Sequence, residues 1–183
     1  CLESLSVSSG LSAAMSSGSI DILTPHGISE TGSLHIGTGA SFSDRSGIVA
    51  ISTGSAFTSS GSVSFNVGKS EVEGGSIHIS SGKSVSSNGG DILLTSGNGK
   101  KAGNIVIQSG KGKMDSGNIN VMTGTSDGGS SGYITLRSGN GDIRSGGINI
   151  QSGNAISKKA GTISIEAGLT SSGVGGSVYL RSG

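Results

Sequence analysis

The chain has 183 residues and a net charge of +1, and its 36 Gly and 52 Ser or Thr fill nearly half of all positions. Hydrophobic residues reach 31% and aromatics 3%, too few for a conventional thick core, and the near-neutral balance gives no bulk field for nucleic acid or a membrane surface. A single Pro without a Gly-X-Y period excludes a collagen triple helix, and no apolar run is long enough to span a membrane.

Low complexity of this kind ordinarily means disorder. The repeat argues otherwise. From the N-terminus, apolar pairs occur at Leu5/Val7, Ile20/Ile22, Leu34/Ile36, Val49/Ile51, Val63/Phe65, Ile77/Ile79 and Ile92/Leu94. They continue at Ile105/Ile107, Ile119/Val121, Ile134/Leu136, Ile148/Ile150, Ile163/Ile165 and Val178/Leu180, which makes thirteen rungs spaced 13 to 15 residues apart. Three places after each second member stands a glycine, except at Pro25. The rung from Gly90 to Gly97 states the rule: Gly, small polar, Ile/Val, any, Ile/Leu/Val, any, Ser/Thr, Gly. Alternation with period two, closed by glycines, predicts short strands and not helices.

A period near 14 residues is too short for a strand, helix and return. It predicts an all-β fold: one parallel β-solenoid over residues 1–183, of about thirteen turns of 13–15 residues, thin, flattened and without capping helices. Inward Ile and Val would stack into columns, with glycines turning the corners. The second half of each turn is weaker, as in Ala40-Ser41-Phe42, Ser55-Ala56-Phe57 and Asn154-Ala155-Ile156. The residue two places after the corner is nearly always small (Ser41, Ala56, Ser70, Ser84, Gly99, Gly112, Ser126, Gly141, Ala155), which would let an opposing sheet approach closely. A Ser/Thr column before the corner (Thr38, Thr53, Ser81, Ser96, Ser109, Thr123, Ser138, Ser152, Ser182) is expected to bond corner backbone or its own copies in adjacent turns.

Candidate sites are few. His35 and His78 lie between the apolar members of their rungs, three turns or roughly 14 Å apart in such a stack, too far to share a metal. His26 sits in the irregular corner at Pro25 and reads as solvated. Gly68-Lys69-Ser70 and Gly82-Lys83-Ser84 match the end of a phosphate-binding loop, but Val63 and Ile77 occupy its first glycine position. Gly139-Asn140-Gly141-Asp142 matches one unit of a calcium-binding nonapeptide roll and has no copies in successive turns. Cys1 is the one cysteine, so there is no internal disulfide, and no Cys/His metal spacing occurs. Neither outward-facing column gathers an acid pair or a Lys/Arg set. The expectation is therefore no catalytic residues, no metal ligands, no cofactor and no enzyme activity.

Charge is unevenly divided. Residues 1–91 carry three Lys/Arg and seven Asp/Glu, or −4, and residues 92–183 carry nine and four, or +5. The lysines Lys100/Lys101, Lys111/Lys113 and Lys158/Lys159 lie in second half-turns without interleaved aromatics, so nucleic acid is not an expected partner. No N-glycosylation sequon occurs, while exposed Ser/Thr permit O-glycans on composition. A chain that begins at Cys1, with apolar Leu2 and Leu5 in its first rung, and stops on rung-closing Gly183 reads as a piece of a longer array. Its open strand edges would favour end-to-end self-association or continuation in more turns.

The rung Gly-Gly-x-Ile-x-Leu-x-Ser/Thr-Gly, seen at Gly75-Ser76-Ile77-His78-Ile79-Ser80-Ser81-Gly82 and its copies, resembles very long Gly/Ser-rich repeat proteins of algal and stramenopile cell surfaces. Trimeric-adhesin head repeats of bacteria are similar in length but favour an Ala-Ile-Gly ending that this chain lacks. The first resemblance implies an extracellular or cell-surface structural role, as a building block of a filament, appendage or coat. The alternative is a binding module using one face, either ice-binding or adhesin-like. Ice recognition would need a regular Thr array, and the outward positions offer scattered Thr interrupted by Lys, Arg, Met and Tyr. Micromolar protein is therefore expected to give no thermal hysteresis and unshaped ice crystals in a nanolitre osmometer.

Overall fold

In the computed structural model, residues 4–10 and 16–183 are described; Cys1, Leu2 and the first inter-rung segment at 11–15 lie outside them. Two units divide the chain, Cys1–Ile92 and Leu93–Gly183. Each is a succession of extended rungs joined by closed loops.

The expected β-solenoid is not what the chain forms. Among the described residues there is no strand and no helix, hence no sheet, no stacked columns and no sheet edge at either end. The reason lies in where the chain goes after each rung. A solenoid turn must carry residue i to within about 4.8 Å of its counterpart one period later. Here approaches between residues a dozen or more apart are rare in either unit. The chain instead folds back at once. The Gly90 amide donates to the Gly82 carbonyl at 3.0 Å, Gly103 to Gly97 at 3.0 Å, Gly117 to Gly110 at 3.2 Å and Gly176 to Gly168 at 2.9 Å. Each bond joins the closing glycine of one rung to the opening glycine of the next, making a neck at the base of a loop. The neck consumes the chain length that a second strand would have needed.

Every loop from Pro25 onward bends sharply once near its midpoint, at residues 28–29, 42–44, 57–58, 71–72, 85–87 and so on to 171–173. The weak half-turns are these loops. Their apolar residues, expected to line a second sheet, stand in solvent at the bends: Phe42, Phe57, Val85 and Ile156 are all fully exposed. The small residues expected to admit that sheet do something local. The Ser41 hydroxyl accepts the Asp44 amide at 3.1 Å, Ser84 accepts Ser87 at 2.9 Å, Ser126 accepts Gly129 at 3.1 Å and Ser70 accepts Val72 at 3.2 Å. These are side-chain-capped turns, which Ser favours because its short hydroxyl mimics a backbone acceptor.

Period-two alternation survives without the sheet. Asn66 Nδ2 donates to Ser64 Oγ at 2.5 Å and Ser164 Oγ to Glu166 Oε1 at 2.9 Å, so residues two apart share a face. The apolar pairs Val63/Phe65 and Ile163/Ile165 alternate with those polar residues, which places them on the other face.

No described residue is buried, and the chain exposes 19496 Å². A globular protein of 17.7 kDa exposes about 8,000 Å² and its extended chain about 26,000 Å². The fold thus leaves most of its surface in water.

The neck amides carry a direct test. An exposed hydrogen bond is worth about 0.5–1.5 kcal/mol, so Gly90, Gly103, Gly117 and Gly176 are expected to exchange with deuterium about two- to tenfold more slowly than neighbouring amides. A Cβ at Gly176 would sit 3.2 Å from the Gly168 nitrogen. Gly176→Ala should therefore abolish protection at that position and leave the other three unchanged.

Candidate interaction surface

The least exposed described residues lie at the necks, while the tightest backbone turns lie in the loops at Gly27, Gly112 and Gly141. The residues of intermediate exposure are Ser9, Thr24, Ser109, Ser152 and Ala167, and all five stand immediately before a rung's closing position. They press against the opening glycine of the next rung. A Cβ at Gly47 would lie 3.0 Å from Thr38 Cγ2, one at Gly161 3.2 Å from Ser152 Cβ, and one at Gly75 2.8 Å from Val67 Cγ1. At these three necks the close approach requires glycine, whereas at Gly18, Gly32, Gly117, Gly132 and Gly146 a Cβ would meet only ordinary contact. The closing glycines, such as Gly39, Gly54 and Gly124, have open space around them, and neither group uses positive φ: only Gly173 does, at 158°. The expected glycine corners are corrected accordingly. So is the expected bonding of the Ser/Thr column, since among the described residues only Thr38 Oγ1 donates to its glycine, reaching the Gly47 carbonyl at 3.4 Å. The other column side chains meet the neck through carbon.

Folding back sets the end of one rung beside the start of the next in opposite directions. Counting outward from Val67 and Gly75 places Phe65 opposite Ile77. These residues, with Val67, His78 and Ile79, line a hollow of about 470 Å³ in the first unit. The arrangement repeats along both units, as exposure shows. First members of the pairs from Ile20 to Val178 are 49–57% exposed, and second members from Ile22 to Ile165 are 65–73% exposed. Leu180, which has no rung after it in this sequence, rises to 87%, and Leu5, with none before it, stands at 92%. The second member of one rung and the first member of the next therefore shield one another. Two side chains per neck form a pair, not a core, and their outer halves stay in water. The hollow is one cross-section of this apolar strip. Ligand pockets enclose most of their ligand's surface, whereas the residues around this hollow are themselves about half exposed or more.

The polar candidates are spread along the loops and the opposite face. Lys69 Nζ pairs with Glu71 Oε1 at 2.5 Å, both side chains well exposed, so the phosphate-loop match at Gly68-Lys69-Ser70 is an ion pair beside a capped turn. Ser84, in the second match, likewise caps its own turn. At Gly139-Asn140-Gly141-Asp142 the chain bends at 142–143, and a Cβ on Gly141 would run into the Arg144 carbonyl. His26 and His35 are exposed, and His78 is exposed on the wall of the hollow. Among the described residues no three His, Cys, Asp or Glu come together as a metal site, and no helix is long and apolar enough to cross a membrane. The lysines Lys100, Lys101, Lys111, Lys113, Lys158 and Lys159 are all exposed.

What the sequence reading missed is the partner of each glycine. The signal was present in the spacing. The distance from opening to closing position is constant at seven residues in all twelve complete rungs, whereas closing to opening varies from six to eight. Segments of fixed length joined by segments of variable length indicate rigid rungs and closed loops. No protein-family model, no curated protein and no solved structure matches the chain.

Proposed function

We propose that this chain is a non-catalytic structural protein, a building block of an extracellular filament, appendage or surface coat. The observation that supports it is the apolar strip: thirteen rungs present Ile, Leu, Val or Phe at matching positions, from about half to about nine-tenths exposed, and none of the described residues is buried. Contiguous exposed apolar surface of more than a few hundred Å² marks an interaction site. A surface that repeats with the sequence suits a partner that also repeats, and material built from such units is an array. Self-association, or continuation in a longer chain of the same repeat, belongs to this reading. It works through the strip, because the described residues form no strand edge to extend. The polar face and the Ser/Thr-rich loops would stay in solvent, open to O-linked glycans.

Electron microscopy of the native material is expected to show fibres or sheets with a regular repeat, and discrete uniform particles would overturn the reading. A triple variant, Ile105→Ser, Ile119→Ser and Ile134→Ser, removes three half-exposed strip residues. It should weaken assembly by about 3 kcal/mol, roughly a hundredfold in association constant. Deuterium protection at Gly90 and Gly176, in necks away from the substitutions, should be unaffected.

A further inference from the structure

The strip needs a cover, and the charge distribution selects one. The division into units falls between Ile92 and Leu93, and because Ile92 is neutral it coincides with the division in charge: −4 in the first unit, +5 in the second. Most of these charges are on loops: Glu30, Asp44, Glu71 and Glu73 against Arg45, Lys69 and Lys83 in the first unit, and six lysines with Arg144 against Asp115, Asp127 and Asp142 in the second. The loops flank the strip at the necks, so each unit carries an apolar centre with a rim of its own sign, weakly negative at −1 over the first unit's loops and clearly positive at +4 over the second's. Among the described residues one ion pair, Lys69–Glu71, is all the compensation found within the chain.

Resting on the structural reading above, we propose that the cover is a second copy of this chain, docked so that the acidic first unit of one molecule lies along the basic second unit of another. Each unit holds thirteen strip residues, on average about six-tenths exposed. At roughly 100 Å² for full burial of an aliphatic side chain, each unit has about 800 Å² to give, the share one partner contributes to a standard stable interface. First unit on first unit would bring −4 against −4, and second on second +5 against +5. First on second brings −4 against +5. Like charges juxtaposed across an interface are a strong selector against the wrong pairing. A first-on-second contact joins two different surfaces and leaves each molecule one unoccupied unit. It therefore propagates unless two molecules close on each other reciprocally.

Two full-length variants test the register by sedimentation velocity. In the first, Lys100, Lys101, Lys111 and Lys113 are each changed to Glu, which takes the second unit from +5 to −3. In the second, Glu30, Asp44, Glu71 and Glu73 are each changed to Lys, which takes the first unit from −4 to +4. Wild-type chain should associate at low salt and weaken about tenfold as ionic strength rises from about 0.01 M to about 0.15 M, where the screening length falls from about 30 Å to about 8 Å. Each variant alone should remain monomeric, and their equimolar mixture should regain association to within about threefold of wild type. Variants that associate alone as strongly as wild type would overturn the charge register and leave the structural reading standing. A wild-type chain that stays monomeric at every concentration would overturn the second copy as partner, and microscopy of native material would then judge the structural reading separately. Association that strengthens with salt would point to like units meeting through the strip and would likewise overturn the register.

Discussion

The structure depends on the pressing of a Ser or Thr against a glycine. At most necks a Ser or Thr side chain meets a residue with no Cβ, and at Gly90, Gly103, Gly117 and Gly176 the two backbone segments also run together for the length of one hydrogen bond. Thr38 on Gly47 and Ser152 on Gly161 show close side-chain approaches at necks outside those four. At Gly47, Gly75, Gly161 and Gly176 a Cβ would push the facing segments apart, and the apolar residues with them. The abundance of Gly, Ser and Thr, which on composition alone resembles disorder, is a consequence of needing that fit once per repeat.

Closing the loop at the neck has an energetic consequence. A neck brings together only residues close in sequence, so the loop-closure entropy is small and is met locally. The same economy works against a core, because among the described residues of either unit approaches between residues far apart in sequence are rare. Hydrophobic surface can then be covered only from outside. The exposure of Leu180, higher than that of any second member followed by another rung, shows how much of the existing shielding comes from the next repeat.

Much of the repeat was legible in the sequence. The rungs and their alternation follow from where Ile, Val and Gly stand, and Ser64/Asn66 and Ser164/Glu166 place residues two apart on one face. The way successive rungs are related was misjudged. Alternation reports which face a residue occupies and says nothing about whether the chain then circles or doubles back. Phe42, Phe57 and Ile156 read as a second strand because apolar residues usually mark burial, yet they sit fully exposed at loop bends. The small residue after the corner read as room for a facing sheet, whereas Ser41 and Ser84 use their hydroxyls to hold a turn three residues long. Serine serves both ends, and composition cannot separate them.

The variable loops, six to eight residues from closing to opening position, bear on how such a chain can change over time. A repeat interacts with its immediate neighbours, so gaining or losing whole repeats removes no contact that the remaining ones need. Insertions of a residue or two are absorbed at loop bends in solvent, while a single insertion inside a rung would reverse which side chains face the strip. Recombination between near-identical repeats is thus structurally neutral. The number of repeats becomes a quantity that mutation can adjust freely, and the reach of the molecule adjusts with it.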